Sequence, residues 1–270
     1  PTPTNTPTNT PGPTPTNTPT PTVTPTPRPG PIYLPISVKE HCLDQLVDVA
    51  LVIDMSTSMN RPSEDGSQKK AAVIGAAKTF VNMLRLTPDY QGQYDQVAIV
   101  GFNDDAWIES KLTHNKATIM GALDRLERKQ KEGTRLDLAF LKGMEALPQA
   151  LRNTYSQPVI VMLTDGLPNR VPISPVTGNQ EGTVIDAAQK AKDAGMKIYT
   201  IGFGRPDAPD LIDRVMPSLL EACASQPSMS FVEPRGDRIQ GIYAQIADTF
   251  TCNGRHDWSQ PWPPSGKGQH

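Results

Sequence analysis

The sequence predicts an α/β fold: a doubly wound, mostly parallel sheet with helices on both faces and one antiparallel edge strand, a Rossmann-like arrangement. Two observations predict it. Short apolar runs rich in Val and Ile alternate with segments whose apolar residues recur every three or four positions, as buried strands and amphipathic helices do in α/β chains. One further run alternates apolar and polar residues directly after a turn-like triplet, as an edge strand in a hairpin does.

Four near-continuous apolar runs are predicted as strands buried on both faces of the sheet. They cover residues 46–54, 96–102, 158–164 and 197–203. Residues 106–112 follow the triplet Asn103-Asp104-Asp105, which is interpreted as a turn. They are expected to form the antiparallel edge strand beside the second run. Ser228–Val232 is predicted as a short last strand.

Helical periodicity fills most of the intervals between these strands. Apolar residues at three- and four-residue spacing predict helices over Val73–Leu84 and Leu136–Leu147. Three more are predicted over Thr183–Ala194, Leu211–Ala224 and Ile239–Phe250. Strands that alternate with helices in this way form a parallel sheet.

The composition divides the chain into three parts. Twelve of its 28 prolines fall in residues 1–31, where Thr and Asn supply most of the rest. Such a segment has too little apolar surface to offset the entropy of ordering, so a disordered stalk or linker is predicted. Residues 32–252 are enough for one domain with a sizeable core. Residues 253–270 predict a loosely ordered tail.

Charge and hydropathy exclude two classes of partner. The net charge is −2, which gives no electrostatic case for nucleic acid. No apolar run approaches the about 20 residues of a membrane helix, so no membrane insertion is expected within this segment. The chain begins at Pro1 inside a repeat and is expected to be a piece of a longer protein. Thr/Pro repeats are typical of stalks outside cells, and the alternative is a plain interdomain linker.

Three polar segments are predicted to meet at one edge of the sheet. Asp54, Ser56 and Ser58 follow the first strand, with a carboxylate and two hydroxyls at alternate positions. Gly133-Thr134 opens a helical pattern, and Thr164-Asp165-Gly166 closes the third buried strand. Ligands of doubly wound sheets bind outside the carboxyl ends of the strands. Hard oxygen ligands of this kind suit Mg2+ or Mn2+.

These residues resemble a known site. Asp54, Ser56, Ser58, Thr134 and Asp165 correspond one for one to the metal-ion-dependent adhesion site (MIDAS) of von Willebrand factor type A domains. The resemblance covers residues 44–252 and implies the same α/β fold. It implies that the two serines ligate the metal directly and that Thr134 alternates between direct and water-mediated contact. Asp54 and Asp165 are implied to act largely through water.

The resemblance also implies how such a site is used. Neutral hydroxyls and indirect carboxylates leave the cation poorly neutralised, so it can accept one more anionic oxygen from an Asp or Glu of a partner. The family usually has Gly at the position of Thr57. This departure stiffens the loop and removes no ligand.

Simpler interpretations exist for the same residues. Ser56 and Ser58 could cap the helix that follows, and Asp165-Gly166 could be an ordinary turn. Each alternative is plausible alone, but together they leave the spacing of the three segments unexplained.

Two neighbouring segments have two interpretations each. Glu64 and Asp65 could form a second metal site, or belong to a solvated loop in which Asp65 or Ser67 caps the following helix. The long segment Leu167–Glu181 borders the same edge of the sheet. It is either a determinant of partner specificity or a passive insertion.

The three cysteines are widely spaced. Cys42 precedes the first strand and Cys252 follows the last helix, so both are expected at the amino end of the sheet. A Cys42–Cys252 bridge is therefore feasible, and the resemblance to extracellular members of the family supports it. Cys223 lies in an apolar helical stretch and is interpreted as a buried thiol, with a role as a bridge partner as the alternative.

The sequence thus predicts a non-enzymatic binding module on a stalk, outside a bacterial cell, that binds a protein or other acidic ligand through Mg2+ or Mn2+. One alternative is an intracellular assembly subunit with the same site. Another is a hydrolase or phosphotransfer enzyme. The enzyme alternative is disfavoured because none of the four histidines lies in a site segment, and the sequence contains neither a Gly-x-Ser-x-Gly elbow nor a Gly-rich phosphate loop.

Overall fold

The computed structural model of the protein describes Gly12 and residues 45–251. The predicted stalk over residues 1–31, the tail over 253–270 and both cysteines of the predicted bridge, Cys42 and Cys252, lie outside these residues. The predictions made for them therefore remain predictions.

The described domain is built on a six-stranded sheet in the order β3-β2-β1-β4-β5-β6. All neighbouring strands pair in parallel except β2 and β3, which pair antiparallel. The strands are β1 (Val47–Asp54), β2 (Gln96–Phe102), β3 (Ala106–Thr113), β4 (Gln157–Thr164), β5 (Lys197–Gly202) and β6 (Ser230–Val232). The predicted fold class is confirmed, and the bounds of β1 to β5 agree with the apolar runs to within one residue.

Six α-helices flank the sheet in the described residues. They are α1 (Lys69–Met83), α2 (Lys116–Leu126), α3 (Leu136–Glu145), α4 (Gln180–Asp193), α5 (Pro217–Cys223) and α6 (Gly236–Thr251). None of them is at once long enough and apolar enough to cross a membrane.

The alternation of side chains along β1 explains why both faces carry helices. All eight residues of β1 are buried. Val49, Leu51 and Ile53 pack into a core with α1, α2 and α6. Ala50 and Val52 face the other way, into a core with α3, α4 and α5. A central strand that is apolar on both faces requires cover on both.

Two helices differ from the sequence prediction. Helix α2 was not predicted, although the Asn115 side chain caps it by accepting from Thr118 N, and its buried residues have helical spacing. The helix predicted over Leu211–Ala224 is wrong in its first half. Leu211–Asp213 forms a single 3-10 turn, and α5 begins only at Pro217. Proline restricts the residue before it and favours the first turn of a helix, so it sets this boundary.

The strand order positions the candidate site. From β1 the chain continues to β2 on one side, while β4 pairs with β1 on the other. The carboxyl ends of β1 and β4 are therefore neighbours, with Ile53 opposite Leu163 in the register. This is the topological switch point of the sheet, where doubly wound folds bind ligands.

Candidate metal centre

Asp54, the last residue of β1, is fully buried and held through both carboxylate oxygens. Its Oδ1 accepts from Ser56 N at 2.8 Å, and its Oδ2 accepts from Thr164 Oγ1 at 2.7 Å. Thr164 ends β4, so the two strands are joined at the switch point. The carboxylate is thereby fixed before any ligand arrives.

The two serines of the motif lie against the second carboxylate. Ser56 Oγ and Ser58 Oγ are 2.8 Å apart, and Ser58 Oγ donates to Asp165 Oδ1 at 2.7 Å. Ser56 Oγ lies 3.5 Å from the same Asp165 oxygen. A 3-10 turn over Thr57–Asn60 holds the serines in this arrangement. Four of the five predicted ligands therefore form one buried cluster, although 111 positions separate Asp54 from Asp165.

The serines do not act as helix caps. The Ser56 side chain makes no capping hydrogen bond to the 3-10 turn, and the N-cap of α1 is Gln68. The alternative interpretation of these serines is wrong, because their hydroxyls contact Asp165 and each other instead.

Thr134, the fifth predicted ligand, lies on a separate loop that borders the same cleft. Its N–H donates to Asn169 Oδ1 at 2.9 Å, and its carbonyl accepts from Asn169 N at 3.1 Å. Gly133 has a φ of +110°, and a Cβ there would lie 2.7 Å from Asp104 Cβ. Only glycine allows this close approach, so Gly133 is needed to carry the chain into Thr134.

The cleft in front of the cluster has a volume of about 550 Å³. Most of its lining comes from three loops, namely the turn after β1, the loop before α3 and the loop after β4, and Leu211 of the 3-10 turn after β5 completes it. The lining residues are Ser56, Thr57, Ser58, Glu132, Gly133, Thr134, Gly166, Leu167, Pro168, Asn169, Arg170 and Leu211.

Burial disfavours the ionised form of both carboxylates in the cluster. It raises the pKa of Asp54 to about 7, and the neighbouring Asp165 carboxylate adds to this rise. Burial also raises the pKa of Asp165, opposed chiefly by the Lys69 ammonium. Two buried carboxylates beside neutral hydroxyls form a hard oxygen set that fits Mg2+ or Mn2+.

Lys69 was missed in the sequence prediction, although its side chain contacts the cluster. Its Nζ lies 3.0 Å from Asp165 Oδ2 and 3.0 Å from Asp213 Oδ1. A lysine at the start of a helix is electrostatically unfavourable, and this was the signal available in the sequence. Asn169 was also missed, because nothing in its local sequence marks it as a partner of Thr134.

Asp65 acts as a cap, but on a different helix from the one predicted. Its Oδ1 accepts from Gly236 N at 3.1 Å, and its Oδ2 accepts from Asp237 N at 3.0 Å. These are the first residues of α6, not of α1. The loop after the motif is thereby tied to the last helix, and both oxygens of Asp65 are engaged by the protein.

The fold and this oxygen cluster at the switch point define a particular class of α/β domain. The model of the von Willebrand factor type A domain family matches residues 48–245. This chain therefore belongs to the von Willebrand factor type A family.

Individual relatives share this domain at low identity. Matrilin-3 of Gallus gallus is 26% identical over 234 residues, which cover 81% of this chain and 44% of matrilin-3. The chain thus spans less than half the length of this relative.

Two solved structures share the fold. One is the vWF domain of the type V pili tip protein Mfa5 from Porphyromonas gingivalis, with a TM-score of 0.61 and 16% identity, covering 79% of this chain and 98% of that one. The other is proximal thread matrix protein 1 from the mussel byssus with a zinc-occupied MIDAS motif, with a TM-score of 0.56 and 21% identity, covering 76% of this chain and 46% of that one.

Proposed function

We propose that this domain is a metal-dependent binding module, not an enzyme, and that it recognises an acidic group on a protein or other partner. The observation that carries the proposal is the cluster of Ser56, Ser58 and Asp165 at a cleft that opens beside Thr134. The metal would be Mg2+ or Mn2+, held by Asp54, Ser56, Ser58, Thr134 and Asp165.

The donor set determines what the centre can bind. Hydroxyl ligands carry no charge, and both Asp54 oxygens already accept hydrogen bonds within the protein. A bound cation would supply a Lewis-acidic position for one carboxylate oxygen. Mg2+ prefers six oxygens and keeps exchangeable waters, so a partner can enter by replacing one of them.

The loops around the cleft would select the partner by shape. In the long loop after β4, the hydroxyl of the buried Ser174 accepts from Val176 N at 3.2 Å and from Thr177 N at 3.3 Å. This folded loop leaves Ile173 and Val176 exposed, at 67% and 86%. Leu211, which is 61% exposed, lies at the cleft itself. We therefore assign partner specificity to residues 55–67, 127–134 and 166–181 and expect apolar groups beside the partner's acidic one.

We place the protein outside a bacterial cell, with the Thr/Pro segment as its stalk. The pili tip protein and the byssus thread protein that share the fold support a role in attachment.

Calorimetric titration of the metal-free protein with Mg2+ tests the proposal. One dominant site is expected, and Asp54→Ala and Asp165→Ala are each expected to abolish it. Asp186→Ala, which removes an exposed carboxylate from α4, is the matched control and is expected to bind like the wild type. Unchanged Mg2+ affinity in both site variants would refute the metal centre.

A further inference from the structure

A buried lysine contacts the carboxylate that the two serines share. Lys69 Nζ is 3.0 Å from Asp165 Oδ2, and the two side chains are 4% and 0% exposed. The other oxygen, Asp165 Oδ1, accepts from Ser58. The ammonium therefore occupies one side of Asp165 and leaves only Oδ1 directed at the serines.

The position of Lys69 is unfavourable for the helix that contains it. It is the first residue of α1, where the macrodipole already places positive charge, and the first turn has no acidic residue. Burial of an ammonium adds a desolvation cost that only close pairing offsets. Residues that break a local rule in this way are expected at functional sites.

The second partner of Lys69 does not neutralise it fully. Asp213 Oδ1 accepts from Lys69 Nζ, while Asp213 Oδ2 lies 2.8 Å from Arg61 NH1. Arg61 also pairs with Asp210 at 2.7 Å. Because Asp213 is shared between two cations, part of the charge of Lys69 acts on Asp165.

We propose that Lys69 sets the charge balance of the metal centre, an inference that rests on the proposed metal-binding function. Asp54 and Asp165 alone would balance the two charges of Mg2+. With Lys69 paired to Asp165 and only partly neutralised by Asp213, the occupied centre retains part of a positive charge. Lys69 thus weakens the hold on the cation and strengthens the attraction for a partner carboxylate.

Adjacent lysines provide a matched test. Lys69 is buried against Asp165, while Lys70 Nζ lies 3.3 Å from Asn60 Oδ1 in an exposed contact. Mg2+ affinity of Lys69→Met and Lys70→Met is measured by calorimetry with the metal alone. Lys69→Met is expected to bind Mg2+ about tenfold tighter or more, because a charge beside the cation is removed. Lys70→Met is expected to match the wild type, since exposed charges are screened.

A second variant is expected to change the Mg2+ affinity in the opposite direction. Asp213→Asn leaves Lys69 to act on Asp165 alone and is expected to weaken Mg2+ binding. Tighter Mg2+ binding by Lys69→Met could not result from a folding defect. If Lys69→Met does not fold, the Mg2+ affinity of Asp213→Asn tests the role of Lys69 instead.

The outcomes separate the two proposals. If the wild type binds Mg2+ and Lys69→Met binds it no more tightly than Lys70→Met does, the proposed role of Lys69 is overturned and the metal centre is not. If Lys69→Met does not fold, Asp213→Asn with unchanged or tighter Mg2+ binding would overturn that role. A complete lack of Mg2+ binding in the wild type and in every variant would overturn both.

Discussion

Thr134 and Asn169 hold each other through two hydrogen bonds that run in opposite directions. Thr134 N donates to the Asn169 side chain at 2.9 Å, and Asn169 N donates to the Thr134 carbonyl at 3.1 Å. The loop before α3 is thereby fixed to the loop after β4. The position of the fifth predicted metal ligand thus depends on a residue from another loop.

Loss of the Asn169 side chain is expected to loosen Thr134. Asn169→Ala removes one of the two hydrogen bonds, and we expect Mg2+ affinity to fall about fivefold, the effect of a typical net hydrogen bond. Asn115→Ala is the matched control, since that side chain also accepts from a backbone N–H but caps α2. It is expected to lower the melting temperature and leave the calorimetric Mg2+ affinity unchanged. Equal Mg2+ affinities in the two variants would contradict this role of Asn169.

Partner binding is expected to require both the metal and the Thr134 hydroxyl. Peptides selected from a random library on the domain in Mg2+ are expected to contain Asp or Glu, to dissociate in EDTA and to rebind with Mg2+ or Mn2+. Thr134→Ala is expected to weaken peptide binding far more than Mg2+ binding, because Thr134 is the ligand expected to shift when a partner arrives. Fluorescence anisotropy measures the first and calorimetry the second.

The control for this experiment is a parallel selection of the same library on Asp165→Ala. Peptides that bind equally well in EDTA, or equally well to Thr134→Ala, would show that the protein uses a different surface.

The sheet and the convergence of four predicted metal ligands could be predicted from the sequence for the same reason. Buried strands are continuous apolar runs, and Asp54, Ser56, Ser58 and Asp165 follow such runs directly. Once the strands are parallel, their carboxyl ends meet. The convergence therefore follows from topology and needs no knowledge of side-chain packing.

What the sequence did not predict depends on loop paths and on mixed periodicity. Asn169 contacts the site because its loop folds back over it, and no short-range pattern encodes such a path. Lys69 contacts the site from the first turn of α1, where only its unfavourable position in the helix marks it. Helix α2 is different, because its buried residues Ile119, Ala122, Leu123 and Leu126 have helical spacing after the capping Asn115, so the sequence did contain a signal for it. The 3-10 turn and α5 were merged into one helix because the apolar spacing continues across Pro217.

The predicted Cys42–Cys252 bridge is tested by non-reducing peptide mapping of protein made in an oxidising compartment. Cys223 is a buried free thiol, and burial raises its pKa to about 12, so it is expected to stay unpaired. Reduction is expected to lower the free energy of unfolding by up to about 5 kcal/mol on the loop-entropy model, without loss of Mg2+ binding. Cys223 found in a bridge with either of the others would refute the assignment.

Asp65 is expected to stabilise the domain by joining the loop after the metal motif to the first turn of α6. Its carboxylate accepts from Gly236 N and Asp237 N, and hydrogen bonds, first of all from Ser63, hold its pKa below the ordinary value of 3.8. Asp65→Asn is therefore expected to lower the free energy of unfolding at neutral pH by about 1 kcal/mol, the usual effect of losing a helix cap.

The pH dependence of this effect has a defined sign. A carboxyl whose pKa is lower in the folded state stabilises above its unfolded pKa, and the stabilisation is lost as the pH falls through the folded value. The gap in unfolding free energy between wild type and Asp65→Asn should therefore narrow from neutral pH to about pH 3, as measured by urea denaturation. Glu64→Gln removes the neighbouring charge and serves as control, with little change expected at either pH. A gap that stays constant with pH would mean that the charge of Asp65 does not stabilise α6.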